Sequence, residues 1–149
     1  MKQSQTITSK KIINSFDEFF KLIPISSNKN ISFHHHLRNG DYVLNMVLDY
    51  YLKNNIQDLN LFPSAIFPKY TKILELLQNN QINNITTNYI NGPVADFIST
   101  NGIKSTLKMQ THGGRARSIL EGKSNIDIAY IAVPYSDHLG NAIGYKGTN

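Results

Sequence analysis

The sequence contains three consecutive histidines, His34, His35 and His36, whose side chains could bind a ligand or take part in catalysis. They end a predicted strand and precede Asn39-Gly40, a turn that opens a predicted helix. Imidazole groups can bind metal ions or donate hydrogen bonds to a carboxylate or thioester oxygen. Because neighbouring strand side chains point to opposite faces, at most His34 and His36 converge, and no nearby carboxylate completes a metal triad. We assign no metal site and expect either hydrogen-bond donors or structural polar residues.

A second group, THGGRAR at residues 111–117, also follows a predicted strand and opens a predicted helix. Gly113-Gly114 is predicted to be a turn in which the backbone closely approaches a ligand. N–H groups at a helix start attract anions, and Arg115 and Arg117 add positive charge and bidentate donors. The spacing matches neither a Walker loop nor a dinucleotide fingerprint. A glycine turn with solvated arginines is the alternative interpretation.

The acidic residues offer no clear catalytic pair. Asp137 and His138 are adjacent, but adjacency says little about geometry, and a turn built on Asp, Gly and Asn is the default interpretation. The glutamates of the chain are Glu18, Glu75 and Glu121, all in or at the end of predicted helices, where solvated surface is expected. The sequence contains no serine nucleophile elbow and no HExxH site.

The composition excludes several classes of site and partner. The 149 residues contain no cysteine, which excludes disulfides, thiolate metal sites and cysteine nucleophiles. The formal net charge is +5, but the lysines are scattered without a basic–aromatic pattern, so we predict no nucleic-acid partner. Residues 1–11 lack the apolar core of a secretory signal, and no apolar run reaches membrane-spanning length. We expect a cytoplasmic protein without a membrane partner.

Predicted strands and helices alternate along most of the chain. Ser15 is predicted to cap the first helix with Glu18 completing a capping box, and Asp41 to cap the second helix. Such alternation is typical of βαβ units, so we predict an α/β fold with an open, mostly parallel sheet of five strands and helices on both faces. The last strand is nearly all apolar, and we expect its burial on both faces. The predicted strands are 31–37, 58–62, 84–87, 106–110 and 126–133; the predicted helices are 15–22, 41–54, 70–79, one ending near 99, and 115–121.

Four stretches of the chain together resemble the alpha-subunit family of citrate lyase, which is similar to other CoA-transferases. They occur in the family's order at about the family's spacing, and the histidine run with RNGD and the THGGRAR motif are the most specific. The resemblance implies a fold of the NagB/RpiA/CoA-transferase type. We expect residues 1–30 to be an N-terminal tail and short helix, and 31–149 the N-terminal part of an incomplete, truncated CoA-transferase domain. The stretches are Ile31–Asp49, Asn91–Ser99, Thr111–Gly122 and Ile126–Gly144.

The resemblance also implies an activity. Members exchange acetate for citrate on an acyl-carrier protein, giving citryl carrier and free acetate. The implied partners are the citrate lyase beta subunit, which cleaves the citryl thioester to oxaloacetate and the acetyl carrier, and the gamma subunit. The gamma subunit is the carrier and bears a CoA-derived prosthetic group; no cofactor is expected to be bound covalently to this chain.

The resemblance implies that the nucleophilic glutamate lies beyond Asn149, so we assign it to no residue of this chain. We predict that His35, His36, Gly113, Gly114 and Arg115 line the acyl or carrier-arm site. Two alternatives stay open: a catalytically inactive remnant or docking module of the lyase complex, and a sugar-phosphate-binding domain of the same fold.

Overall fold

The computed structural model describes residues 12–24, 26–35, 37–104 and 106–145. The predicted alternation of strands and helices is present, and within these ranges no helix is both long and apolar enough to cross a membrane. The helices are α1 (Phe16–Leu22), α2 (Val43–Lys53), α3 (Thr71–Gln78), α4 (Pro93–Asn101) and α5 (His112–Leu120). The strands are β1 (Asn30–His35), β2 (Leu59–Pro63), β3 (Ile82–Thr87), β4 (Thr106–Met109), β5 (Ile128–Ala132), β6 (Tyr135–Ser136) and β7 (Ala142–Ile143).

Strands β1 to β5 form one parallel sheet in the order β4-β3-β2-β1-β5, which confirms the predicted five-stranded sheet. Helices α2, α3 and α4 connect β1 to β4 in successive steps toward one edge, and α5 returns the chain to β5 on the other side of β1. Right-handed crossovers that run in opposite directions place their helices on opposite faces. Helix α5 therefore lies on the face opposite α2, α3 and α4, as the contacts of its side chains confirm below.

The face toward α2 carries the hydrophobic core. Ile31 and Phe33 of β1 belong to the same buried cluster as Tyr51 of α2. The Tyr51 hydroxyl lies 3.3 Å from the hydroxyl of Tyr130 in β5, so the two buried phenols satisfy each other. Because successive side chains of a strand point to opposite faces, Ser32, between Ile31 and Phe33, points to the face away from the core. Further fully buried side chains of this core are Val47, Leu48, Leu59, Leu61, Ile66, Ile73, Leu76 and Ile85.

Helix α1 packs aromatic side chains against this core. Phe20 is buried, and its ring stacks on Tyr50 with 3.8 Å between the ring centroids. The Ser15 hydroxyl accepts a hydrogen bond from the Glu18 N–H at 3.1 Å, which confirms the predicted N-cap. The Glu18 carboxylate accepts from the Asn14 N–H at 3.4 Å. A capping box would use the N–H of the N-cap residue Ser15, so Glu18 bonds one residue earlier than predicted. The predicted domain boundary stays a prediction.

The prediction that the last strand is buried on both faces is wrong. Among the described strands, β5 pairs with β1 on one side and forms an edge of the sheet. Tyr130 and Ala132 are buried on the core face, whereas Ile131 is 61% exposed on the other face. An apolar run indicates a strand but not whether the strand is central or at an edge, because that depends on which strands pair with it.

The Leu48→Ala variant should lower the free energy of unfolding by about 2–5 kcal/mol, because truncation of a fully buried leucine leaves a cavity. Met46→Ala on the same helix is the matched control, since Met46 is 51% exposed. Its expected change is within about 0.5 kcal/mol. Urea denaturation followed by circular dichroism measures both, and equal losses would contradict this assignment of the buried helical face.

Candidate functional site

The histidine run ends β1 at the carboxyl edge of the sheet. His34 is exposed and, by strand alternation, lies on the α5 side with Ser32. His35 is half-buried on the core side, with its ring centroid 5.4 Å from that of Phe67 in an edge-on arrangement. The cavity beside His35 has a volume of about 10 Å³, which is barely the room that one water molecule needs. His36 lies outside the described residues.

The loop after the histidines is held against α3 by a polar cluster. Gly40 has φ +75°, and a Cβ there would overlap the hydroxyl of Tyr70. That hydroxyl accepts from the Asp41 N–H at 3.3 Å and donates to the Asp41 carboxylate at 3.4 Å, and burial raises the pKa of Tyr70. The Asp41 carboxylate accepts from the Val43 N–H at 2.6 Å. Asp41 thus supports the start of α2 as predicted, although Tyr42 occupies the N-cap position.

The prediction of a Gly113-Gly114 turn is wrong, because both glycines lie in the first turn of α5. Thr111 is the N-cap, and its Oγ1 accepts from the Gly114 N–H at 2.9 Å. A Cβ on Gly114 would stand 2.9 Å from that oxygen, whereas a Cβ on Gly113 would meet no atom of the described residues within 4 Å. Gly114 therefore allows the close threonine cap, and Gly113 leaves the helix start uncovered.

Arg115 extends from α5 onto the sheet. Its Nη2 donates to the Ser32 hydroxyl and to the Phe62 carbonyl oxygen, each at 2.7 Å. Arg115 is only 9% exposed, whereas Arg117 is exposed, so the alternative of solvated arginines applies to Arg117 alone. Burial lowers the pKa of the Arg115 guanidinium. The bonds to β1 and β2 fix α5 on the face opposite the core.

The predicted site residues divide between the two faces of the sheet. His35 lies on the core side, and Gly113, Gly114 and Arg115 belong to α5 on the other side. Both groups lie toward the carboxyl edge, where ligands of open α/β folds bind, and β1 and β5 flank the topological switch point. The assignment of these residues and His36 as substrate-binding stays a prediction.

A shallow depression of about 200 Å³ on the α5 side has no counterpart among the sequence predictions. Asn30, Asn60 and Asn84 lie in register on neighbouring strands, and the Asn84 Nδ2 donates to the Asn60 Oδ1 at 2.6 Å. Asparagine recurs in or beside three predicted strands, and this recurrence could have indicated a polar site. Only the register between the strands shows that the three side chains lie in one row. The lining residues are Asn30, Asn60, Phe62, Asn84, Ile85, Thr86, Thr106 and Lys108.

The carboxylates considered from the sequence make local contacts. Glu75 pairs with Lys72 at 2.9 Å, and Glu121 pairs with Lys123 at 2.7 Å. The Asp137 carboxylate accepts from the side-chain amide of Asn141 at 2.8 Å and from the N–H groups of residues 139 and 141 at 2.9 Å each. The Asn141 side-chain bond lowers the pKa of Asp137 most, and the backbone bonds lower it further. The turn interpretation of Asp137 is confirmed.

Comparison with known proteins decides the family. The sequence profile of a family described as citrate lyase, alpha subunit (CitF), matches residues 9–149. The chain belongs to this family. It is 30% identical to the citrate lyase alpha chain of Escherichia coli (strain K12) over 145 residues, and 31% identical to that of Haemophilus influenzae over 144 residues. These matches cover 97% of this chain and 28% and 29% of the relatives.

A solved structure shows the same fold within the citrate lyase alpha-subunit family. A protein described as an alpha subunit of citrate lyase from Streptococcus mutans, crystallised in complex with citrate, superimposes with a TM-score of 0.88 at 34% identity. The superposition covers 97% of this chain and 28% of that protein. The chain thus spans between a quarter and a third of the length of the relatives that it matches.

The two glycines of α5 should respond differently to alanine. Gly114→Ala should lower the free energy of unfolding by roughly 1 kcal/mol, because its methyl group displaces the Thr111 cap. Gly113→Ala should raise it by about 0.5–1 kcal/mol, because helical alanine replaces glycine in open space. Thermal denaturation compares them, and destabilisation by Gly113→Ala would contradict the helical assignment.

Gly40→Ala should lower the free energy of unfolding by about 1–3 kcal/mol, because strain at positive φ adds to overlap with Tyr70. Gly102 is the control: its φ is +66°, but a Cβ there meets no atom within 4 Å in the part of the chain that the structure describes. Gly102→Ala should therefore show the backbone cost alone. Urea titration measures both, and an equal loss would show that the Tyr70 contact does not constrain the loop.

Proposed function

We propose that this chain takes part in the citrate CoA-transferase reaction of citrate lyase, which exchanges acetate for citrate on an acyl-carrier protein. The observation that carries the proposal is the match to citrate lyase alpha chains over 97% of this chain. The fold similarity to an alpha subunit crystallised with citrate supports citrate as the ligand. An acetyl thioester and citrate would give a citryl thioester and acetate.

The proposed exchange requires a carboxylate nucleophile, a covalent acyl intermediate and donors for the developing oxyanion. We assign the nucleophile to the part of the alpha subunit that this chain does not span. The local contacts of this chain's glutamates support that assignment, since Glu18 supports the start of α1 and Glu75 and Glu121 pair with lysines. The contribution of this chain would be to bind and orient the reacting groups.

The binding roles follow from the groups at the carboxyl edge of the sheet. We assign hydrogen-bond donation to His35 and His36, close backbone approach to Gly113 and Gly114, and anion pairing to Arg115. The open space beside Gly113 and the buried guanidinium support the α5 part of this assignment. The edge position of β1 supports the histidine part.

The proposed partners are the beta and gamma subunits of citrate lyase. The gamma subunit would present its CoA-derived prosthetic group, to which the acetyl or citryl group is attached, and the beta subunit would cleave the citryl thioester. The cytoplasmic location expected from the sequence stays part of this proposal.

The test measures exchange of labelled citrate into acetyl carrier by the purified chain, alone and co-expressed with the remaining segment of a relative's alpha subunit. We expect no exchange by the chain alone, because the nucleophile is assigned elsewhere, and exchange by the co-expressed pair. The intact relative is the positive control, and the remaining segment alone is the negative control.

A soluble co-expressed complex that exchanges no label, while the intact relative does, would contradict the proposed activity. Association without exchange would favour the inactive remnant or docking module. Exchange by the chain alone would show that the nucleophile has been assigned to the wrong part of the subunit.

A further inference from the structure

The buried charge of Arg115 lacks an anionic counterpart in the described part of the chain. Its Nη2 donates to two neutral oxygens, of Ser32 and Phe62, and its buried Nη1 has no hydrogen-bond partner among the described residues. A buried guanidinium without a counter-ion is costly, and replacing water by neutral acceptors compensates only part of the cost. An anion bound beside Arg115 would supply the missing interaction.

The sheet next to Arg115 offers room for such an anion. Phe62, whose carbonyl accepts from Arg115, also lines the depression of about 200 Å³ on the same face. Among the described residues, no acidic side chain lines this depression, and the cationic side chain that lines it is Lys108 of β4. The exposed Lys108 makes no ion pair with a described residue. The depression is therefore positively charged and otherwise lined by amides, hydroxyls and apolar groups.

We propose that this face of the sheet carries a polycarboxylate subsite in which Arg115 and Lys108 bind different carboxylates of one ligand. The strand register places Ser32 of β1 and Lys108 of β4 in the same row across the sheet, three strand spacings apart, or roughly 14 Å at about 4.8 Å per spacing. The guanidinium of Arg115 already reaches Phe62 of β2, which leaves two strand spacings, or roughly 10 Å, between that strand and β4, and Lys108 of β4 lines the same depression. Arg115 is not among the residues that line the depression and its Nη1 is buried, so contact of a ligand with Nη1 requires movement of the groups that cover this atom.

The choice of ligand rests on the proposed function, in which citrate and acetate are exchanged. Citrate has carboxylates that do not react, and these can pair with both Arg115 and Lys108. Acetate has a single carboxylate and can pair with only one of the two cations. The subsite would therefore select citrate over acetate by charge and by the distance between carboxylates. Tricarballylate, which has the three carboxylates of citrate but no hydroxyl group, should bind at the same place.

Isothermal titration calorimetry of the full chain with citrate, tricarballylate and acetate tests the subsite directly. We expect citrate and tricarballylate to bind at least roughly tenfold more tightly than acetate, as one additional charge-assisted hydrogen bond contributes. Equal affinity for the three ligands, or no detectable binding of citrate, would overturn the inference.

Ser32→Asp and Ser32→Asn provide an isosteric pair that keeps Arg115 in place. The aspartate would give the guanidinium an internal carboxylate where the serine hydroxyl now lies at 2.7 Å from Nη2. We expect Ser32→Asp to raise the citrate Kd at least roughly tenfold relative to Ser32→Asn, because the internal carboxylate competes with the ligand. The pair also avoids Arg115→Met, which would detach α5 from the sheet. Equal Kd values in two folded variants would place the citrate site elsewhere.

Lys108→Met tests the second cation, with the exposed Lys104→Met as the matched control. Lys108→Met should weaken tricarballylate several-fold and leave acetate nearly unchanged, whereas Lys104→Met should change neither. Citrate binding that is insensitive to both Ser32→Asp and Lys108→Met would overturn the subsite and leave the exchange activity untouched. Binding that responds to both variants, with no exchange by the co-expressed pair, would retain the subsite and overturn the proposed function.

Discussion

The handedness of the crossover from β4 to β5 determines the face of the sheet on which the candidate residues of α5 lie. The chain builds β1 to β4 in one direction and then returns to place β5 beside β1. Because parallel crossovers are right-handed, this reversal moves α5 to the face opposite α2, α3 and α4. The reversal also makes β1 an internal strand that flanks the switch point together with β5. Because the strands are parallel, the histidine end of β1 and the start of α5 both lie toward the carboxyl edge.

The two faces created by this reversal have different chemistry. The core face is apolar, and the cavity beside His35 is nearly filled. The α5 face carries Ser32, the asparagine row and Lys108, and it is where a buried arginine meets two neutral oxygens. A sheet face of this polarity is poorly suited to a hydrophobic core and well suited to a charged ligand. A ligand that contacts both His35 and Arg115 must therefore bind around the edge of the sheet, because the two side chains lie on opposite faces.

The fold could largely be predicted from the sequence, because alternating strands and helices with short connections allow few topologies. The Ser15 cap follows from capping chemistry, and the parallel sheet follows from the alternation of strands and helices. The edge position of β5 could not be predicted, since it depends on strand order and not on apolar content. Gly113-Gly114 indicated a turn because glycine disfavours helices, but the Thr111 cap and the anchoring of Arg115 on the sheet outweigh that preference. The depression required strand register, which a single sequence does not give.

The most direct test is a crystal structure of this chain with citrate, because the central claim is that ligand carboxylates compensate the cations on the α5 face. A citrate carboxylate within hydrogen-bond distance of Nη1 of Arg115, and a second near Lys108, is the predicted result. Citrate bound on the core side at His35, with a water molecule on Nη1, would contradict the claim and return the ligand site to the histidine end of β1.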